Sequence, residues 1–269
     1  MPANFEYLKA SIAQLEGLVQ ELGSSFEKPT FVDLGDHKVF RHHVKNDLLM
    51  SYLKCVRAVS SLNAALVLLR NGYVQEVGTL CRCIQDFCDD VLFLATPLGE
   101  KEPSADQHRL VEEFYQEDFD QPANPLVSIQ KRDRVPRPKI QAGIARIQGH
   151  PINPSDAKTL HRTIQQVFSG YVHGAYVHTM EMYGGNPPKY HTSGMLHTQR
   201  IHEWERQLVN YIYRTMIATE IVAKRVGATL SIESLRKLRE AFETKTGCAG
   251  IGNLERAMQK LKSRKPTTS

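Results

Sequence analysis

HKVFRHHVKNDLLMSYLKCVRAVSSLNAALVLLRNGYVQEVGTLCRCIQDFCDDVLFLAT, residues 37–96, decides the fold class. In its first part Val44, Leu48, Tyr52, Cys55, Val59, Leu62, Leu66 and Leu69 recur at alternating threes and fours. That is the spacing of one helix face, and it predicts a helix over about 37–70, roughly 50 Å long at 1.5 Å per residue. Asn71-Gly72 supplies a reversal, so a second rod over about 73–96 is expected to fold back antiparallel onto the first. Along that rod Gln75, Thr79, Arg82, Asp86 and Asp89 share one side, and Val77, Leu80, Ile84, Phe87 and Val91 the other.

The same period runs outward in both directions. Phe5, Leu8, Ile12, Leu15, Val19 and Leu22 form one stripe that is expected to stop at Gly23. Trp204, Leu208, Tyr211, Thr215, Ala218 and Val222 form the inward stripe of a third long helix over about 197–226, which Gly227 ends. Shorter helices are predicted after Pro103 (Leu110, Phe114 and Phe119), over 138–148, from 155 to at least 173, over 231–245 and over 252–262. Between the second and third of these lies the turn HPINPSD, where Ser155 or Asn153 is placed to cap exposed amides. The proline-rich stretch QPANPLVSIQKRDRVPRPK reads as a loop excursion. No segment alternates apolar and polar residues long enough to predict a sheet. The expectation is all-α: an elongated helical bundle with three long helices and several short ones, one domain over 1–269. Within it a sub-boundary near residue 125 is conceivable, and residues 263–269 are expected to form a disordered basic tail.

Composition narrows the class without naming an activity. The chain has 269 residues, 41% hydrophobic and 23% charged, enough to bury about 75% of its unfolded surface without disulfides or structural metal. The N-terminal MPANFEYLKASIAQLE lacks the basic and then apolar regions of a secretory signal. The longest apolar runs, AALVLL at 64–69 and VLFLA at 91–95, fall short of the roughly 20 residues a bilayer span needs. A cytoplasmic protein with no membrane contact is expected. Five cysteines, three of them at 81, 83 and 88, fit reduced core thiols better than zinc, because CxxC pairs are missing. The net charge of +5 comes in alternating blocks: VEEFYQEDFD at 111–120 is acidic, KRDRVPRPK at 131–139 and the C-terminal tail basic. These blocks read either as solvated faces or as phosphate contacts.

Chemistry is sought in HRTIQQVFSGYVHGAYVHTMEMYGG, residues 161–185. On a helical projection Arg162, Gln166, Ser169, His173 and Tyr176 fall within about 40° of one direction, while Leu160, Ile164, Val167 and Tyr171 oppose them. His178 lands on the second side unless the helix breaks at Gly174. The stripe is either a solvated face or a binding face. Its Arg, Gln, Ser, His and Tyr side chains suit directional hydrogen bonding more than the Lys and Glu of an ordinary solvated face. Were it to pack on the Arg82–Asp89 side of the earlier rod, Asp86 and Asp89 would orient His173 and favour its imidazolium form. His173 would then be a general base for a ribose 2′-hydroxyl, with Arg162 or Arg82 stabilising phosphate charge and no metal required. The catalytic candidates are His173, Arg162, Arg82 and Asp86. The binding candidates are Ser169, Tyr171, Tyr176, Gln166, His178 and His191, the last in the loop GGNPPKYHTSG, which reads as a pocket cover or a plain surface connection.

Several machineries lack their signatures. There is no HExxH and no Glu followed three residues later by His, despite five histidines between His173 and His202, so no metal is expected. Neither GxxxxGK[ST], GxGxxG nor GxSxG occurs, and no cofactor is expected.

The pairing of LLRNGYVQEVGTLCRCIQDF with a later helix ending in SGYVHG resembles a group of bacterial α-helical proteins of unknown function, itself similar to the HEPN superfamily. The resemblance spans roughly residues 40–180 and rests on Arg82, Asp86, Ser169, Tyr171 and His173. It implies a helical bundle, a homodimer, and RNA as ligand or substrate in a toxin or phage-defence setting. HEPN ribonucleases carry an arginine and a later histidine with four to six residues between them. Arg146 and His150 have three residues between them and Arg162 and His173 ten, so neither pair has that spacing. The other expectation, from a different class, is a non-catalytic module that docks a protein partner through its long helices.

Overall fold

The computed structural model describes residues 5–33, 38–95, 102–121, 124–129, 132–145, 163 and 166–248. Helices dominate: α1 (Phe5–Leu22), α2 (Asp47–Arg70), α3 (Val74–Leu94), α4 (Ala105–Tyr115), α5 (Arg137–Ala145), α6 (166–172), α7 (Tyr176–Met180), α8 (Gln199–Val226) and α9 (Thr229–Thr246). The all-α bundle expected from the periodicity is the observed architecture, with α2, α3 and α8 as its three long rods. α2 packs against α1, α3 and α8, and α9 closes the bundle on α8 and α1.

One apolar cluster runs through these helices, with Leu8, Ile12, Leu62, Leu69, Val77, Ile84, Leu208, Ile212 and Phe242 fully buried. A second, smaller cluster gathers Met50, Phe93, Leu94, Leu110, Val135, Ile140 and Ile144. Residues on both sides of position 125 therefore pack into one cluster against α2 and α3. The Ser104–Gln107 capping box opens α4, and the Gln107 amide also donates to the Phe93 carbonyl at 2.7 Å, tying α4 to the end of α3. α2 is long and apolar enough to cross a bilayer by length and composition, which the short apolar runs do not reveal. Here it lies inside the bundle, buried at Met50, Cys55, Leu62, Ala65 and Leu69.

Two expectations about local structure are corrected. The first long helix starts at Asp47, not near 37, because Asn46 takes an extended conformation and its side chain accepts from the Leu49 amide. Val44 lies outside it and is exposed. Ahead of the helix stands an antiparallel ribbon of β1 (Thr30–Asp33) and β2 (Lys38–Arg41), with Phe31 opposite Phe40 and Val32 opposite Val39. TFVD and KVFR are four residues each with two adjacent apolar residues in the middle, so neither shows the alternation that marks a strand. A second small ribbon, β3 (Tyr183–Gly184) with β4 (Lys189–Tyr190), occupies the expected 184–194 loop.

Gly23 ends α1, but not in the left-handed conformation. A Cβ there would lie 2.6 Å from the Tyr52 hydroxyl, so the position needs glycine for close approach. Gly72 does take positive φ (83°) at the predicted reversal, and its carbonyl accepts from the Met195 amide at 2.8 Å. The stretch after Pro103 is helical only to Tyr115, leaving Phe119 exposed outside it. Of the expected 155–173 helix, the described part is residue 163 and 166–172. The caps at Asn153 and Ser155, the 252–262 helix and the 263–269 tail lie outside the described residues.

Candidate functional site

The α3 polar side predicted from spacing is real, but its partners are not those expected. Arg82 and Asp86 form an ion pair one turn apart. Beyond them Asp89 is 1% exposed and Asp90 has no exposed surface at all. α3 changes allegiance at this point. Residues through Val91 pack in the main cluster, Phe93 and Leu94 in the smaller one, and the three carboxylates fall at the changeover.

Buried carboxylates need cations, and four elements supply them. From α5, Arg137 places Nη1 2.5 Å from Asp90 Oδ1 and Nε 3.5 Å from Asp86 Oδ1. From α2, Lys54 places Nζ 2.8 Å from Asp90 Oδ2, with its ammonium also over the Phe87 and Phe114 rings. From α8, Arg214 Nη1 lies 3.6 Å from Asp89 Oδ1. Three carboxylates thus meet four cations, leaving one positive charge in excess. Burial pushes the Asp89 carboxyl up to about 6, against the pull of Arg214 and with help from the neighbouring Asp86. Burial works against the Arg137 charge, yet Asp90 and Asp86 outweigh it and hold that guanidinium above its ordinary range. Gln85 borders the cluster, 1% exposed, with neither amide atom hydrogen-bonded.

Asp89 and Asp90 are enclosed and Asp86 is half-buried, while the arginine side chains keep part of their surface: 14% for Arg82, 29% for Arg137 and 27% for Arg214. Asp86, Asp89 and Asp90 act as a frame, buried at Asp89 and Asp90, that engages partly exposed arginine side chains. Such a set can hold an anion.

α6 does not bring its polar stripe to this frame. Its inward residues are Phe168 and Tyr171, from the opposite side: Phe168 stacks edge-on against Trp204 and Tyr211, and Tyr171 against Trp204. The Tyr171 ring lies where a Cβ on Gly78 would come within 2.7 Å, so the missing side chain on α3 makes its seat. Gln166, His173 and Tyr176 consequently face solvent, with Ser169 half-buried. The expected meeting of two polar faces is corrected: aromatic burial decides the orientation, and arginines take the carboxylates proposed for His173. Among the described residues no side chain pairs with the His173 imidazole. Arg162 lies outside the described residues, as do Arg146 and His150.

The remaining candidates form a separate group. The chain does break at Gly174 (φ 58°), and α7 folds back so that the His178 ring lies 4.0 Å from the Tyr171 ring, centroid to centroid. Its Nδ1 is buried without a partner. The Tyr171 hydroxyl donates to Glu181 at 2.9 Å, and Arg200 approaches the same carboxylate at 3.8 Å. Burial, then the bond to Glu181, push the Tyr171 phenol up. His191 Nε2 sits 3.1 Å from the Gly184 carbonyl within the second ribbon.

Cys81 and Cys88 are buried and Cys83 half-buried, and burial raises the Cys88 thiol to about 12, far from a thiolate nucleophile. Among the described residues no group of three or more His, Cys, Asp or Glu side chains is arranged to hold a metal. Spacing on α3 alone finds Arg82, Asp86 and Asp89 but misses Asp90, Lys54, Arg137 and Arg214. The overlooked signal is the Asp89-Asp90 pair inside the apolar run FCDDVLFL, which can be buried only if other elements bring cations. Comparison of the chain with protein-family models, with curated proteins and with solved structures finds no match.

Proposed function

We propose that this protein is an RNA-binding helical bundle of HEPN-like organisation, with Arg82, Arg137 and Arg214 as its phosphate-contacting group. The observation that carries the reading is the frame of half-buried Asp86 and buried Asp89 and Asp90, which engages three arginines from three helices while their side chains keep part of their surface. Oriented guanidiniums suit the paired oxygens of a phosphodiester, and holding them in place beforehand lowers the ordering cost of binding. The reading is of binding and not of cleavage. Activating a ribose 2′-hydroxyl needs a base within hydrogen-bond reach, and among the described residues no hydrogen bond joins the exposed His173 to these arginines.

The test is RNA binding followed by fluorescence anisotropy over a range of salt. Arg137→Gln and Arg214→Gln should each weaken binding and flatten the dependence of log K on log salt by about one unit. Equal affinity in both folded variants sinks the reading and leaves a purely structural ion network.

A second reading, self-association through α6 and α7, has its own observation. Val167, Val172, Tyr176 and Val177 are all exposed within one short stretch, Tyr176 by 78%. Such a patch suits the homodimer that the resemblance implies. Tyr176→Glu with Val177→Glu should then convert a sedimenting dimer to a monomer, and a wild-type monomer removes this reading.

A further inference from the structure

Gln85 carries a feature that the ionic frame does not explain. It is 1% exposed, yet neither end of its amide is hydrogen-bonded, and Asp89 Oδ1, one turn further along α3, is buried without a hydrogen bond as well. Folded proteins rarely leave such atoms unpaired, because their lost hydration is not repaid. Gln85 and Asp89 are four residues apart and share one face of α3. That face meets α8: Cys88 Sγ lies 3.9 Å from Thr215 Oγ1, and Arg214 faces Asp89. Tyr211 of α8 interacts with Cys81, one turn before Gln85, and with Asp89, one turn after it, so Gln85 stands between these groups. Arg214 stops short of the carboxylate. Its Nη1 is 3.6 Å from Asp89 Oδ1, too far for a direct hydrogen bond but close enough for both atoms to reach one oxygen between them.

The unpaired atoms select the ligand. Gln85 Oε1 and Asp89 Oδ1 accept and Gln85 Nε2 donates, and turning the amide over exchanges its ends without changing this set. An anion would meet two acceptors, one of them a carboxylate, and a cation would add to an existing excess of positive charge. A small neutral molecule that donates two protons and accepts others fits all three atoms, and water is the smallest. We propose that the α3–α8 interface binds an internal water that donates to Asp89 Oδ1 and Gln85 Oε1 and accepts from Arg214, and that through it Gln85 is a positioning residue for the Arg214 guanidinium. The positioning role rests on the RNA-binding reading above; the water does not. Burial raises the Asp89 carboxyl, whereas a hydrogen bond donated to it favours the charged form. The water thus keeps Asp89 available as a carboxylate for Arg214 and supplies the link that direct contact lacks.

Gln85→Met keeps a similar volume and removes both ends of the amide, so it tests the assignment. Water relaxation dispersion counts long-lived internal waters, carboxyl-carbon NMR follows the titration of Asp89, and anisotropy reads RNA affinity. The variant should lose one long-lived water, titrate Asp89 at higher pH than the wild-type protein, and bind RNA about fivefold more weakly, the worth of one hydrogen bond. A crystal structure of the wild-type protein should place a water within hydrogen-bond distance of both Gln85 and Asp89, which keeps the site testable should the variant fail to fold. A Gln85 amide bonded directly to Asp89, or an anion in that place, overturns the proposal, as does an unchanged water count in the variant. Loss of the water with unmoved RNA affinity overturns the positioning role. Wild-type protein that binds no RNA removes the reading beneath that role, and the water then stands or falls on the dispersion count and the crystal structure.

Discussion

Arg137 on α5 holds Asp90 on α3 at 2.5 Å, and that carboxylate, with no surface exposed, is shared on its other oxygen with Lys54 of α2 at 2.8 Å. One side chain thus joins three helices at the place where the two apolar clusters meet. Its value lies in the matching. Attraction between the charges offsets the cost of removing them from water only while both cations and the carboxylate are present.

Asp90→Ala should therefore destabilise the fold by about 3 kcal/mol, because it leaves Lys54 and Arg137 crowded and unmatched. Replacing the trio with apolar residues of similar volume should cost much less. Chemical denaturation of the single variant beside Asp90→Leu/Lys54→Met/Arg137→Met checks this. Equal losses in the two would show that the charges are not coupled.

The Tyr171 seat gives a prediction of opposite chemistry. Glycine to alanine inside a helix normally gains about 1 kcal/mol from propensity. At Gly78 the added methyl would lie 2.7 Å from the Tyr171 ring and 2.9 Å from Trp204, both held by packed aromatics. Overpacking of this kind costs about 1–3 kcal/mol, so Gly78→Ala should destabilise on balance. Trp204 is the sole tryptophan, so its emission should report the shift directly. A more stable variant with unchanged emission would refute the close contact.

These two sites show what the chain discloses before folding. Long helices are legible because their apolar residues repeat over many turns, as Leu62, Leu66 and Leu69 do on α2. The ribbon is not, since Phe31 and Phe40 face water and leave no buried stripe. Half of the ionic frame is legible for the same reason: Arg82, Asp86 and Asp89 share one helix and one spacing. Arg137 and Arg214 reach the frame from 47 and more residues away, and only their tertiary position makes them its partners. The orientation of α6 is decided by a choice between two faces of similar length. Seating Tyr171 on Gly78 and Trp204 buries large rings, which hydrogen bonds along the His173 stripe do not match.

Asp89 sets the expected dependence on pH. Its carboxyl titrates near 6 in the folded protein, against 3.8 when unfolded. Between those values the folded chain keeps a proton that the unfolded chain has released. The unfolded state then binds fewer protons, and stability falls as pH rises through that window, levelling above about 6. Asp89→Asn removes the titrating group. Denaturation midpoints measured from pH 4 to 7 should show the variant gaining on the wild-type protein as pH rises, and parallel curves would contradict the buried position.

His173 offers the sharpest contrast with the arginine frame. Exposed, and paired with nothing among the described residues, it contributes neither to packing nor to the ionic network. His173→Ala should leave the unfolding free energy within about 0.5 kcal/mol of wild type, as for substitutions at unengaged surface positions. Its RNA affinity and salt slope should also be unchanged. Arg137→Lys tests the other side, because it keeps the charge but loses the planar fork that reaches Asp86 and Asp90 together, and a compact ammonium cannot present the same oriented edge to a phosphate. RNA affinity should fall in Arg137→Lys and hold in His173→Ala. The reverse pattern would transfer the phosphate site to α6 and reinstate the imidazole as its working group.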